Sequence, residues 1–234
     1  MKQAMIFAAG LGTRLKPLTD TMPKALVPVS GKPLLWHVVL KLKQSGYERI
    51  VVNVHHFAQQ IIDYLSANNN FGLDIRVSDE TKELLETGGG IKKARPLFAS
   101  DSPVLIHNVD ILSNLDITSL ECKGDATLIV SQRPTKRYLQ FDSNMRLIGW
   151  KNIETGQVKG QEGQSLAFSG IHILSPSLLP LMDKWPDRFP IMDFYLNSCS
   201  DHSLYGEERH DLKLLDVGKL DTLTEAENFV FSQT

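Results

Sequence analysis

The 234-residue chain is predicted to form a single α/β domain. Its core would be a doubly wound, mostly parallel but mixed sheet with helices on both faces, and a small antiparallel region toward the C-terminal end. Three observations predict this. Short continuous apolar runs end in glycine or polar residues, as strands buried on both faces do. Segments with apolar residues at helical spacing alternate with those runs, the order of a parallel sheet built from crossover units. After about residue 124 the alternation gives way to shorter strand-like segments. The domain would therefore span residues 1–234, with one half at 1–124 and the other at 125–234.

Ala4–Ala9 reads as the first buried strand, and a polar loop rich in Gly, Pro and Thr follows to about Lys32. Pro33 suits a first helical position, and Leu35, Val38, Val39 and Leu42 repeat at helical spacing until Gly46 stops the helix. Arg49–Val54 is a second strand. Phe57, Ile61, Ile62 and Leu65 mark a second helix closed by Asn68–Asn70, and Asp74–Val77 is a third strand. A Gly88-Gly89-Gly90 turn is expected to lead into a short helix, and Pro103–Asn108 is the next strand. Beyond it, Thr127–Val130, Leu139–Phe141, Leu147–Trp150, Ala167–Leu174 and Leu212–Leu215 read as strands, with Gly156–Gln164 as a loop. Pro176–Met182, Pro190–Asn197 and Thr222–Phe231 read as helices.

Composition narrows the function classes. The chain is 42% hydrophobic and 22% charged with a formal net charge of -2, so no basic surface invites nucleic acid or an anionic membrane. Anionic ligands must be held by a local site. Cys122 and Cys199 are its two cysteines, too far apart for a metal-ligand or disulfide framework, and a reducing cytoplasm is the expected setting. The apolar start covers only about six residues, short of the roughly 7–15 of a signal peptide core. No stretch approaches the roughly 20 apolar residues of a membrane span.

At the carboxyl end of the first strand stands Ala9-Gly10-Leu11-Gly12-Thr13-Arg14, followed by Pro23-Lys24-Ala25-Leu26. Small residues let backbone N–H groups approach phosphate oxygens. Leu15 occupies the third-glycine position of a dinucleotide fingerprint, and no Gly-Lys-Ser/Thr closes a P-loop. Instead Arg14 offers a planar fork and Lys24 a point charge, a pair able to pinch a polyphosphate. The alternative is a tight turn carrying two solvated cations. Asp110 and Asp216 each end a strand; a lone Asp there is commonly a cap or turn residue, whereas two at one sheet edge can share a magnesium ion. His55 and His56, adjacent on a strand, point to opposite faces and are read as structural. His107 and His172 read as core or pocket residues, and the three tryptophans as packing.

The Gly-x-Gly-Thr-Arg loop followed by Pro-Lys-x-Leu resembles the signature of the sugar-1-phosphate nucleotidyltransferase family. The resemblance runs over the whole chain and is tightest in the first 30 residues. It implies a Rossmann-like fold, with 1–124 as the nucleotide-binding half and 125–234 as the sugar-phosphate-binding half, and an enzyme that condenses a nucleoside triphosphate with a sugar 1-phosphate, releasing pyrophosphate. It implies catalytic roles for Arg14 and Lys24, with Ala9, Gly10, Gly12 and Thr13 at the nucleotide. It further implies Mg2+ on Asp110 and Asp216. Glu86-Thr87-Gly88 resembles the segment along the nucleobase, giving Glu86 and Gly88 as nucleotide-binding residues. Phe168-Ser169-Gly170-Ile171 resembles the segment whose glycine backs the sugar, so Gly170, with Asn108, is expected at the sugar. The family's Glu-Lys-Pro sugar motif is not evident, and Lys151 is the nearest basic candidate. Val109 and Lys219 also depart from the family pattern, Val109 implying a narrower site.

Within the family, the short length and these two segments look most like the branch that uridylates N-acetylmuramate 1-phosphate, supplying a cell-wall or surface polysaccharide precursor. Mannose or heptose 1-phosphate guanylyltransferases come next, and a phosphocholine cytidylyltransferase third. UTP or GTP is thus the expected nucleotide, with no nucleic acid or membrane partner. The rival from another class is a nucleotide-sugar-binding regulatory module without catalysis.

Overall fold

The computed structural model describes residues 1–231. In chain order its elements are β1 (Gln3–Phe7), β2 (Pro28–Val29), β3 (Lys32–Pro33), α1 (Leu34–Gln44), β4 (Arg49–Val54), α2 (Ala58–Ala67), β5 (Asp74–Asp79), α3 (Glu86–Ala94), β6 (Val104–Asn108) and β7 (Ile111–Ser113). There follow β8 (Ala126–Ser131), β9 (Arg137–Phe141), β10 (Leu147–Asn152), β11 (Val158–Gly160), β12 (Gln164–Leu174), α4 (Ile191–Ser198), β13 (Leu204–Glu208), β14 (Leu214–Asp216) and α5 (Asp221–Phe231).

A 10-stranded sheet runs β11-β10-β9-β12-β6-β1-β4-β5, with β8 beside β12 and β13 beside β8. β6, β1, β4 and β5 are parallel. β12 runs antiparallel to β6, β8 and β9, and the sheet is therefore mixed. The chain steps from β1 outward to β4 and β5, then returns to β6 on the other side of β1. That reversal opens a crevice at the carboxyl ends of β1 and β6, where open α/β sheets bind ligands.

Period-two alternation builds the two core layers. Ala4 and Ile6 of β1 pack with Leu34, Leu35, Val38, Val39 and Leu42 of α1 and Ile61 of α2. Met5, between them, packs on the opposite face with Ile91 and Ala94 of α3 and Phe194 of α4. Helices thus cover both faces, as the sequence predicts.

Several local expectations are corrected. Gly88, Gly89 and Gly90 lie inside α3 rather than in a turn before it. A Cβ on Gly88 would stand 2.2 Å from the Phe189 ring, and one on Gly89 2.0 Å from the Asp187 carbonyl. The glycines permit close packing, at roughly 1 kcal/mol of helix propensity each. Pro33 belongs to β3 and takes an extended ψ of 149°, so α1 starts one residue later. The predicted helix at 176–182 is a turn leading to a 3-10 helix over Leu179–Lys184. β7, β11 and β13 were not expected. β13 carries Gly206, Glu207 and Glu208, which hide a strand whose partner is the distant β8.

Candidate active site

The loop after β1 is built around Gly12. With φ +64°, its backbone is in the region that favours glycine, and a Cβ would come 2.8 Å from Thr19 Cγ2. The Thr19 hydroxyl donates to the Gly12 carbonyl at 2.8 Å, and so does Leu15 N–H at 2.8 Å, closing a tight turn. Leu15 is fully buried and anchors that turn, leaving Arg14 exposed beside the crevice. Gly10 has open space where a side chain would stand, so a ligand can reach its backbone. Lys24 is brought back by a 3-10 turn and forms an ion pair with Asp110.

The two acids converge. β14 pairs with β7 so that Asp216 faces Ile111, next to Asp110. Val217 N–H donates to the Asp110 carbonyl at 2.8 Å. Gly218 separates Arg14 from Asp216: its Cβ would lie 2.7 Å from both Arg14 Nη2 and Asp216 Oδ1. Asp216 as a residue has solvent access. Desolvation by the surrounding protein and then the Asp110 charge nevertheless push its carboxyl above the usual range, against Lys24, Arg14 and Arg133.

Beside them is a cavity of about 440 Å³ lined by Ala9, Gly10, Gly12, Thr13, Arg14, Lys24, Glu86, Asn108, Asp110 and Gly218, with Asp216 outside that lining. Val109 also lines it. Glu86, the first residue of α3, has φ +62° and pairs with Arg188 at 3.3 Å. Gly170, φ +77° in β12, sits directly behind Asn108, whose Nδ2 would be 2.8 Å from a Cβ there. Two expected residues lie elsewhere. Gly88 packs under Phe189 and donates to its carbonyl at 2.8 Å, outside the cavity lining. Lys151 is paired with Glu162 at 3.2 Å in β10, also outside it.

Sequence reasoning missed Asn53 and Glu80, which line the same cavity. Asn53 Oδ1 accepts from Ala8 N–H at 2.7 Å and from Ala9 N–H at 3.3 Å. Its Nδ2 donates to Glu80 Oε1 at 2.8 Å, and Leu85 N–H donates to Glu80 Oε2 at 3.2 Å. Burial raises the Glu80 carboxyl, partly offset by these bonds. Asn53 is the penultimate residue of β4 and Glu80 directly follows β5, and a polar residue at a strand end carries no signal that separates it from a turn. Elsewhere, His55 bonds the Glu80 carbonyl at 2.7 Å and His56 stacks on Phe57, consistent with structural roles.

The chain is similar to known nucleotidyl transferases. The family model described as nucleotidyl transferase matches residues 3–126. An N-acetylmuramate alpha-1-phosphate uridylyltransferase of Neisseria meningitidis serogroup B is 38% identical over 184 residues, 75% of this chain and 76% of the relative. Its counterpart from Caulobacter vibrioides is 49% identical over 111 residues, 47% of this chain and 46% of the relative. The structure of HddC from Yersinia pseudotuberculosis complexed with GMP-PN superposes with a TM-score of 0.77 at 25% identity, covering 97% of this chain and 99% of that one. The chain belongs to the nucleotidyl transferase family. Within it, the chain is an enzyme of the sugar-1-phosphate nucleotidyltransferase class, condensing a nucleoside triphosphate with a sugar 1-phosphate. Among the described residues, no helix is long and apolar enough to cross a membrane.

Proposed function

We propose that the enzyme transfers a uridylyl group from UTP to N-acetylmuramate 1-phosphate in the cytoplasm, with Mg2+, and so supplies a cell-wall precursor. The name and extent of the Neisseria match support this substrate pair. Arg14, Lys24 and Asp110 line one crevice and their charges act on Asp216; this set supports the catalytic part, since a binding module needs no such set.

The donor set fits a magnesium ion completed by substrate. Desolvation and then the Asp110 charge raise the Asp216 carboxyl, the second effect being that of a neighbouring carboxylate. Among the described residues no third His, Cys, Asp or Glu completes a protein cage. Magnesium characteristically takes one or two carboxylates and fills the rest with phosphates and water. Asp110 and Asp216 would hold it, and when bound it neutralises charge on the phosphates.

A sugar phosphate oxygen attacks the α-phosphorus, and the bond to pyrophosphate breaks. The sugar phosphate is already an anionic nucleophile, so no side-chain nucleophile is needed. What the chain supplies is position and charge. The glycine loop presents backbone N–H groups to the triphosphate, and Arg14 neutralises the leaving pyrophosphate. Lys24 exchanges Asp110 for phosphate oxygens and holds them in line. Glu86 lies along the base, and Asn108, backed by Gly170, faces the sugar.

The test is pyrophosphate release from each nucleoside triphosphate paired with a panel of sugar 1-phosphates. UTP with N-acetylmuramate 1-phosphate should give the highest kcat/KM. GTP with mannose or heptose 1-phosphate is the arm that the HddC match motivates, and preference there would overturn the substrate assignment. Arg14→Ala should lower kcat about 10²-fold or more; near-full turnover would remove its assigned role.

A further inference from the structure

Six buried side-chain nitrogen or oxygen atoms lack a hydrogen-bond partner among the described residues, and three of them gather in one place. They are Ser131 Oγ, Arg133 Nε and Arg209 Nε. Ser131 ends β8, Arg133 follows two residues later, and Arg209 follows β13, donating its backbone N–H to the Val130 carbonyl at 2.9 Å. Buried donors without partners are uncommon and mark a place where an acceptor belongs.

That place lies at the same sheet edge as the reaction crevice, outside its lining. β12 is antiparallel to both β6 and β8, so β8 points the same way as β6 and ends at the same sheet edge as Asn108 and Asp110. Arg133 Nη2 donates to the Phe168 carbonyl at 2.8 Å, two residues before the Gly170 that backs Asn108. Its charge is the smallest of the three that oppose the rise of the Asp216 carboxyl. Arg209 is neutralised by an ion pair with Glu207, whereas Arg133 bonds to a carbonyl and has no carboxylate partner among the described residues. One half-buried guanidinium without a carboxylate ion pair therefore stands at the sheet edge that carries Asn108 and Asp110, whereas Lys151 is engaged with Glu162.

We propose that Arg133, supported by Arg209, forms an oxyanion subsite on the sugar side of the crevice and holds an anionic group of the sugar 1-phosphate. The proposal rests on the reading of the chain as a sugar-1-phosphate enzyme. A guanidinium suits this task because its planar fork can bind two oxygens at once. The oxyanion has two possible sources, the 1-phosphate common to all such substrates or a carboxylate borne by an acidic sugar.

The experiment compares the wild-type enzyme with Arg133→Gln and Arg133→Lys. Substrates are glucose, mannose and N-acetylglucosamine 1-phosphates, which bear neutral sugars, and glucuronate and N-acetylmuramate 1-phosphates, which bear acidic ones. Arg133→Gln should raise KM for the sugar 1-phosphate about 10- to 100-fold, the size of a lost charge-assisted hydrogen bond. KM for the nucleotide should stay within about twofold, and Arg133→Lys should recover part of the loss. An effect on every sugar identifies the phosphate as the bound group; an effect on acidic sugars alone identifies the carboxylate. A purely structural arginine would lower thermal stability and move both KM values together, and that result, or unchanged sugar KM, overturns the proposal. Calorimetric binding of the same sugar 1-phosphates separates the two readings. Binding lost in Arg133→Gln without wild-type turnover would uphold the subsite and sink the catalytic assignment. No binding to the wild-type protein would overturn the subsite itself.

Discussion

Asn53 donates its side-chain amide to the buried carboxylate of Glu80 at 2.8 Å, and this bond decides which way round the amide sits. With Nδ2 committed to Glu80, Oδ1 must face Ala8 and Ala9, and it accepts both backbone N–H groups. The strand end that launches the glycine loop is thereby pinned from the β4 and β5 side. Replacing Asn53 by Asp would set a second carboxylate against Glu80 in a site where both residues are almost wholly buried. The variant carboxyl would favour protonation in the folded state, so its stability deficit should grow as pH rises and shrink on acidification. We expect Asn53→Asp to lose about 2 kcal/mol or more at pH 7.5 and to regain part of it at pH 5. Denaturant melts at the two pH values would show it; a deficit independent of pH would mean that the two groups do not meet.

Lys24 and Asp110 form an ion pair that any cation bound at Asp110 must loosen. Lys24→Met keeps an apolar stem while removing the charge, and this sets the two roles of the lysine in opposition. Turnover should fall about 10²-fold, because the phosphates lose a positioning charge. Divalent binding should tighten, because the carboxylate is released. Manganese titration of the ligand-free protein, followed by paramagnetic resonance, measures the second effect without any turnover. Weaker manganese binding in the variant would show that the ion pair does not compete with the metal.

Gly89 lies in the middle of α3, where alanine would ordinarily stabilise a helix by about 1 kcal/mol. Here a Cβ would stand 2.0 Å from the Asp187 carbonyl oxygen, a backbone atom that cannot rotate away. Overpacking of this kind typically costs about 1–3 kcal/mol and more when backbone must move. Gly89→Ala is therefore expected to lower stability by about 2 kcal/mol, read by urea unfolding. A gain would show that the segment around Asp187 yields freely.

The same triplet shows where sequence reading stops. Glycine in sequence signals either backbone freedom or close approach, and only the distant partners Phe189 and Asp187 reveal that close approach is meant. Strands buried on both faces were easier: Arg49–Val54 is continuous and β-branched, and it folds over those same residues. Arg14, Lys24 and Asp110, which line one cavity, could be picked out as candidates because a glycine loop with two cations and an acid after a strand is unusual chemistry. Asn53, Glu80 and Arg133 were not, since each earns its place through a partner supplied by another strand. Lys151 is the nearest basic candidate in sequence, yet in space Arg133, with Lys24 and Arg14, is among the cations whose charge acts on Asp216.

His107 and His172 are buried as neutral rings, and this gives the fold a sign of pH dependence that can be checked. His107 Nδ1 donates to the Asn108 carbonyl at 2.7 Å, and His172 Nδ1 bonds the Tyr195 hydroxyl at 2.9 Å. Burial, only partly offset by the bond to Asn108, lowers His107 to about 4, and burial lowers His172 to about 3. An unfolded histidine titrates near 6.5, so below that pH the unfolded chain binds protons that the folded chain refuses. Both groups therefore contribute stability that is complete above about pH 6.5 and is lost as the pH falls toward their folded values. Between pH 6.5 and 5 each should account for about 1.5 kcal/mol of lost stability, before most carboxylates begin to titrate. His107→Asn keeps a donor for the Asn108 carbonyl but cannot take up a proton in this range. Its unfolding free energy should fall less steeply over that interval than the wild-type value does. Parallel slopes for the two proteins would show that His107 does not carry its share of the acid sensitivity.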